Sequence, residues 1–304
     1  MNKSILRFAL VSVAVVAASG PATATHQWGK YHWARTANPV SLKINTALSG
    51  GWPAILQKSI GEWDVSTVLA FPQSSTNGAN SYLYKSGKSA KQCNPIASQI
   101  LVCNALYGQR GWLGIASIWA NGDHITQGTT KLNDTYFNMA RYNTPYWRAM
   151  VACQEVGHDF GLGHVNETFT DKNTGSCMDY TNDPSGKNTQ NGPLENDAPN
   201  THDYDLLKSM YAHFDGTTTA TSSATTNFGE RKVGQPVPQS RSYTGSGDTA
   251  AEWGSAVRRD SKGRPDMFVQ RLPDGTLKIT HVLWTPDAKG TEAGPVHEDD
   301  GHTH

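Results

Sequence analysis

The chain has 304 residues, a length that suits one domain with a substantial core and a smaller unit beside it. It contains 26 Lys and Arg residues against 26 Asp and Glu residues, so its formal net charge is zero. Proteins that bind nucleic acid carry an excess of basic side chains, and the composition therefore argues against a nucleic-acid partner.

The first 24 residues have the pattern of a secretory signal peptide. A basic start is followed by an apolar run over residues 5–18 and by a small-residue cleavage motif that ends at Ala24. A membrane anchor is the alternative, but the run is shorter than the roughly 20 residues that span a bilayer. The sequence predicts cleavage after Ala24, a secreted extracellular protein and no membrane partner afterwards.

The elements predicted first are a strand, a helix and a sheet. Val40, Leu42 and Ile44 alternate with polar residues, which indicates a half-buried strand. A helix begins near Pro53, and its apolar face is formed by Trp52, Leu56, Ile60 and Trp63. Short β-like runs then predict a sheet, at residues 82–84, 100–103, 113–119 and 124–132.

Two more helices are predicted in the second half of the chain. The first has Thr144 as its N-cap and Pro145 at its first position, and Gly161 follows its end. The second covers residues 202–214, where an apolar stripe recurs at helical spacing. His202 and Asp203 at its start are interpreted as a cap rather than as part of a site.

The last third of the chain differs in composition. Residues 216–230 are rich in Thr and Ser and predict a flexible linker, which separates a domain at residues 25–215 from a C-terminal segment at residues 231–304. Three runs in that segment, at residues 253–257, 267–272 and 277–284, predict a small, mostly β or partly disordered unit. The terminal histidines are interpreted as a solvated tail.

Four cysteines form an even set in a chain that is predicted to be exported, which is typical of disulfides. They are Cys93, Cys103, Cys153 and Cys177, and they allow three pairings. We favour Cys93 with Cys103 and Cys153 with Cys177, because each of these bridges closes a short loop.

The segment with the clearest chemistry places Glu155, His158, Gly161 and His164 in the order E-x-x-H-x-x-G-x-x-H. Residues four apart lie on one helix face, so the side chains of Gln154 and His158 can point at one metal ion with Glu155 beside them. A turn at Gly161 lets His164 approach as a third ligand. A position left to water would make such a zinc site catalytic, with Glu155 as general base.

This segment resembles the signature of the metzincin zinc metalloproteases, H-E-x-x-H-x-x-G-x-x-H. Residues 176–180 look like the Met-turn of that family, and their Met-x-Tyr order is similar to that of astacins and serralysins. The resemblance implies an α+β catalytic domain with a twisted mixed sheet, an active-site helix, the Met-turn and a C-terminal helix. It also implies that Met178 lies beneath the metal and that Tyr180 stabilises the oxyanion.

The resemblance covers about residues 40–214 and implies a way of binding substrate. Residues 112–118 look like the edge strand against which these proteases lay an extended peptide, through main-chain hydrogen bonds. An interior strand is the alternative for these residues. The proposed Cys153–Cys177 bridge would join the active-site helix to the Met-turn.

The chain departs from the family at its first ligand, where Gln154 replaces a histidine. An amide oxygen suits zinc less well than an imidazole, so the resemblance implies a weaker site for one catalytic Zn²⁺. A Cys153 thiolate ligand is disfavoured, because Cys153 points to a different helix face from His158.

Three functions remain open on the sequence. The first is a monomeric, secreted zinc endopeptidase that hydrolyses internal bonds of extended protein or peptide substrates. The second is an inactive pseudoprotease that binds peptides or a partner protein through its cleft. In the third, the metal is structural and the C-terminal segment carries the function.

Overall fold

The protein is described by a computed structural model that covers residues 26–71, 88–220 and 247–288. The predicted signal peptide, the run at residues 82–84, most of the predicted linker and the terminal histidines lie outside the described residues. Among the described residues no helix is long and apolar enough to cross a membrane.

The described residues form short helices and a large sheet. The strands are β1 (His32–Trp33), β2 (Val40–Ser41), β3 (Ile44–Ala47), β4 (Leu69–Ala70), β5 (Ile100–Ala105), β6 (Trp112–Asn121), β7 (His124–Asn133), β8 (Ser255–Arg259), β9 (Pro265–Arg271) and β10 (Leu277–Trp284). The helices are α1 (Trp52–Trp63), α2 (Lys88–Gln92), α3 (Asp134–Phe137), α4 (Pro145–His158), α5 (Thr201–Met210) and α6 (Ala250–Trp253).

Eight of the strands form one mixed sheet. Its order is β3-β5-β7-β6-β10-β9-β8, and β1 pairs in parallel with β7. Strands β3, β5 and β7 run parallel, whereas β6, β10, β9 and β8 each run antiparallel to their neighbours. A separate parallel pair joins β2 to β4. The prediction of an α+β fold with a mixed sheet is thereby confirmed at this level.

The two long helices in the first domain begin where the sequence predicts. In α1, Pro53 lies in the first turn and the predicted apolar face is buried. In α4, the Thr144 side chain accepts a hydrogen bond from the Trp147 N–H, which satisfies a backbone donor that the helix itself cannot pair. The Trp63 indole donates to the Cys153 carbonyl at 3.2 Å, so the helices pack directly against each other.

The predicted ends of the later helices require correction. Helix α4 ends at His158, and α5 ends at Met210 rather than at Phe214. Phe214 lies beyond the helix and is 63% exposed. The N-cap of α5 is Asn200, and Asp203 completes a capping box with it, so the predicted capping role is correct for Asp203.

Both favoured disulfides are present. Cys93 is bonded to Cys103 and Cys153 to Cys177, and the Cα atoms are 5.9 Å apart in each pair. The second bridge joins α4 to the segment that contains Met178. Short-loop bridges of this kind typically contribute about 2 to 4 kcal/mol, mainly by restricting the unfolded chain.

The C-terminal strands belong to the main sheet. Strand β10 pairs with β6 from Leu277 opposite Ala120 to Trp284 opposite Trp112. A hydrophobic cluster on one side of this pairing contains Trp112, Ile115, Trp253, Phe268 and Val282. The expectation of a separate small β unit is wrong for residues 255–284, because the buried faces of these strands are completed by β6.

This pairing also decides between the two interpretations of residues 112–118. They form an interior strand, with β7 on one side and β10 on the other, so the expectation of an edge strand is wrong in the described state.

The packed part of the chain also extends past residue 215. Thr219 exchanges hydrogen bonds with Ala34, and Ala220 is buried.

Lys278 of β10 is a charged side chain inside this packing. It is 1% exposed, and its ammonium donates to the Glu252 carbonyl at 3.2 Å. Burial, together with the nearby charge of Lys131, lowers the pKa of Lys278 from 10.5 to about 7.

This shift predicts that the free energy of unfolding rises with pH between about 7 and 9.5. In that range the unfolded lysine binds a proton that the folded lysine has lost, so raising the pH favours the folded state. The Lys278→Met variant should be more stable at pH 7 by about 2 to 4 kcal/mol and should lose this slope. Urea unfolding at several pH values measures both effects. Lys208→Met, at a half-exposed lysine, is the control, and parallel curves for wild type and Lys278→Met would contradict the assignment.

Candidate functional site

Helix α4 positions the predicted site residues, and the chain after it turns back over the helix end. Gln154, Glu155 and His158 are fully buried on α4. Gly161 has a φ of 95°, and a Cβ at this position would lie 2.0 Å from the Tyr31 carbonyl oxygen. Only glycine fits there, and the resulting turn brings His164 to His158.

The two predicted histidine ligands meet as expected from their spacing. Their Nε2 atoms are 2.9 Å apart, and His158 Nδ1 lies 2.7 Å from the Leu162 carbonyl oxygen. Since a carbonyl only accepts, His158 Nδ1 carries the proton and its Nε2 presents a lone pair. Burial lowers the pKa of His158 to about 3, which keeps the ring in the neutral form that binds metals.

A third histidine, His281 of β10, completes this group. Its ring stacks on that of His158 with centroids 3.9 Å apart, and its Nε2 atom is buried without a hydrogen-bond partner among the described residues. One donor atom from each of His158, His164 and His281 lies within 4.8 Å of the others, so the cluster could hold a metal ion. The sequence analysis missed His281, because no local motif surrounds it and only the β6–β10 pairing brings it here.

Arg258 of β8 determines which nitrogen atom of His164 carries the proton. Its Nη2 lies 2.7 Å from His164 Nδ1 and, through the same atom, 3.0 Å from Asp266 Oδ2. A guanidinium can only donate, so His164 Nδ1 accepts and the proton of its neutral ring lies on Nε2, from which it donates to His158 Nε2. The cluster is therefore held by a continuous series of hydrogen bonds from Arg258 to the Leu162 carbonyl.

Gln154 lies on α4, one turn before His158, and its amide is oriented by the predicted Met-turn. Its amide N–H donates to the Cys177 carbonyl at 2.8 Å, which directs the amide oxygen away from that carbonyl. This oxygen is buried and has no hydrogen-bond partner among the described residues. An unpaired buried acceptor is costly, and a cation is one partner that would satisfy it.

Glu155 is enclosed between α4 and β6. A Cβ at Gly114 of β6 would lie 2.5 Å from Glu155 Oε1, so the absence of a side chain at Gly114 makes room for the carboxyl group. Neither oxygen accepts a hydrogen bond of normal geometry from the described residues. Burial and the nearby Asp159 raise the pKa of Glu155 well above its usual value, and the Ala116 N–H offsets this only in part.

The remaining predicted residues take different positions. A Cβ at Gly157 would lie 2.5 Å from the Met178 sulfur, so Met178 packs against α4, and its place beneath a metal stays a prediction. Tyr180 stacks near His164, with ring centroids 4.4 Å apart, but its hydroxyl donates to Asp266 Oδ2 at 3.2 Å. In the described state the Tyr180 hydroxyl is thus hydrogen-bonded to a residue of β9 and not to a histidine of the cluster.

Comparisons with known proteins add little to this geometry. No protein-family model matches the chain, and a search of curated proteins finds no similar sequence. A search of solved structures finds a likeness to the structure of myroilysin, with a TM-score of 0.34 and 10% sequence identity, over 62% of this chain and 98% of that chain. A TM-score of this size carries no argument for fold or function.

Proposed function

We propose that the protein is a secreted zinc-dependent endopeptidase that hydrolyses internal peptide bonds, and that the described state is a closed form of it. The observation that carries the proposal is the pairing of His158 and His164 through their Nε2 atoms at the end of α4, the helix that also carries the buried carboxyl group of Glu155. Imidazoles and a carboxyl group of this kind are the groups that metal-assisted hydrolysis uses.

The donor atoms of the cluster fit zinc. Imidazole nitrogen is a ligand that zinc prefers, and His158 already has the tautomer that a ligand needs. Gln154 Oε1 is a buried acceptor without a partner among the described residues. His281 Nδ1 lies 3.4 Å from Arg258 Nη2, which can only donate, so His281 Nε2 would bind a metal after its proton moves to Nδ1. Zinc bound here would supply a water of lowered pKa and would polarise the scissile carbonyl.

The chain's own residues supply the proton transfers. Glu155 takes the proton of the attacking water and passes it to the leaving amine. In the described state burial raises the pKa of Glu155 and favours its protonated form, so the carboxyl group acts as a base once opening and a bound metal ion favour the carboxylate. Tyr180 reaches the oxyanion once its hydroxyl is released by Asp266.

The closed form follows from the position of β10. The antiparallel pairing of β10 with β6 uses the same main-chain groups that an extended peptide would use in strand addition. Arg258 opposes zinc as well, because it donates to His164 Nδ1, which must carry a proton when Nε2 binds a metal. Turnover therefore requires β10, together with Arg258, to move away from α4.

A binding module without activity is the second candidate. Gln154 in place of a histidine favours it, since an amide oxygen weakens a zinc site. A binding module would also require β10 to move, because β10 occupies the edge of β6 on which a peptide would pair.

The proposal predicts that Glu155→Gln abolishes hydrolysis while zinc remains bound. The amide keeps the volume of the side chain but cannot accept the proton of the attacking water. Cleavage of an unstructured protein, with and without chelator, and zinc content by elemental analysis are measured on wild type and variant. Chelator-sensitive cleavage that survives Glu155→Gln would contradict the role of Glu155, and cleavage that chelators do not affect would exclude metal-dependent hydrolysis.

A disulfide between β6 and β10 tests the closed form. Ser117 Oγ and Thr280 Oγ1 lie 2.9 Å apart on directly paired residues, a distance that suits the double variant Ser117→Cys/Thr280→Cys. We expect the oxidised variant to cleave substrate at least ~10-fold more slowly than the same protein after mild reduction, because locked strands exclude the substrate. The two single variants and wild type under the same reductant are the controls. Equal rates for the locked and reduced forms would show that β10 stays in place during turnover.

A further inference from the structure

A second group of histidines surrounds one carboxylate oxygen away from the α4 cluster. Asp215 Oδ1 lies 3.4 Å from His32 Nε2, 3.2 Å from His124 Nε2 and 3.5 Å from His213 Nε2. His32 Nε2 and His213 Nε2 are themselves 3.2 Å apart. The four side chains come from β1, from the first residue of β7 and from the chain after α5, so the group exists only in the folded protein.

Three of these donor atoms lie close enough to one another to share a metal ion. One donor atom from each of His32, His213 and Asp215 lies within 4.8 Å of the others, and their separations range from 3.2 to 3.5 Å. Ligand nitrogen and oxygen atoms bound to zinc at about 2.0 to 2.1 Å are separated by roughly 3.3 to 3.4 Å from one another when the geometry is tetrahedral. Two imidazoles and one carboxylate are also a ligand set that suits zinc, and His124 lies beside the carboxylate oxygen outside this set.

The hydrogen bonds around the group leave two acceptors facing each other. His32 Nδ1 lies 2.7 Å from the Lys30 carbonyl oxygen and must donate to it, so the neutral ring presents a bare Nε2 toward Asp215 Oδ1. These two acceptors repel, and a proton or a metal ion between them removes the repulsion.

The orientation of the carboxylate is also fixed. Asp215 Oδ2 accepts from the Arg35 N–H at 2.9 Å, which leaves Oδ1 directed at the three rings. Backbone carbonyls and N–H groups that fix a metal ligand in this way are characteristic of metal sites.

We propose that His32, His213 and Asp215 bind a second metal ion of the zinc class, separate from the proposed catalytic site. Three protein donors leave one position of a tetrahedral shell to water. The ion would tie the chain after α5 to β1, and so would anchor the segment that leads into the predicted linker. An ion can enter from solvent, since a cavity of about 270 Å³ is lined by His32 and His213.

The test uses the full chain and zinc alone as the probe. We expect two ions per chain in wild type and one in His213→Ala, with the affinity of the lost ion at least ~100-fold weaker. The matched control is His124→Ala, which removes a neighbouring histidine outside the ligand set and should keep both ions. These two side chains are 52% and 38% exposed, so their removal leaves the core intact. Zinc should also raise the melting temperature of wild type and of His124→Ala by several degrees more than that of His213→Ala.

Two further variants separate this site from other sources of zinc. His158→Ala should lose the catalytic ion and keep the second one, so failure of the proposed function and failure of this site give different stoichiometries. The combined His297→Ala/His302→Ala/His304→Ala variant should keep both ions, since neither proposed ligand set includes a histidine of the tail. Unchanged zinc affinity and content in His213→Ala, with a metal-free melting temperature like that of wild type, would overturn the second site.

Discussion

The pairing of β10 with β6 is the interaction on which the rest of the site depends. It completes the sheet and gives β6 a paired strand on each side. It also brings His281, which is distant in the sequence, to the end of α4. Strand β9 and strand β8 follow through their own antiparallel pairing and carry Asp266 and Arg258 to the same place. Without this pairing the α4 histidines would lie at an open sheet edge.

Arg258, Asp266 and Tyr180 form a hydrogen-bonded network beside the cluster, and this network stabilises the proposed closed form. Arg258 bonds Asp266 through two nitrogen atoms, at 3.2 Å and 3.0 Å, and Asp266 accepts from the Tyr180 hydroxyl. Buried pairs of this kind depend on complete hydrogen bonding, since an unpaired charge in the interior is costly. A movement that carried β8 and β9 away from α4 together would remove Arg258 from His164 and Asp266 from Tyr180, so one displacement would free two groups of the proposed mechanism.

Local sequence signals predicted the elements that local interactions determine. Thr144 and Pro145 predicted the start of α4, and short cysteine spacing predicted both disulfides. The alternation from residue 40 onward predicted one strand, and the structure has two there, β2 and β3, which belong to different sheets. Spacing on a helix likewise brought His158 and His164 together, since residues in and directly after one turn cannot separate far.

The errors concern contacts between residues that are distant in sequence. A Thr- and Ser-rich stretch suggested an independent C-terminal unit, yet the apolar faces of residues 277–284 are buried by strands more than a hundred residues earlier. His281, Arg258 and the second histidine group share this cause, because each is assembled by tertiary pairing and has no spacing that a sequence pattern reveals. The Gln154 substitution was visible in the sequence, but its hydrogen bond to the Cys177 carbonyl depended on the position of the Met178 segment.

The central claim is that Arg258 and β10 hold a metal-binding site closed, and the zinc affinity of Arg258→Gln tests it most directly. The measurement is made by competition with a chelator of known affinity in the His213→Ala background, so that only the α4 cluster reports, with Arg259→Gln as the neighbouring control. Removing a cation that donates to His164 Nδ1 should strengthen zinc binding by ~10-fold or more. Equal or weaker binding in Arg258→Gln would contradict the account, because the arginine would then have no part in excluding the metal.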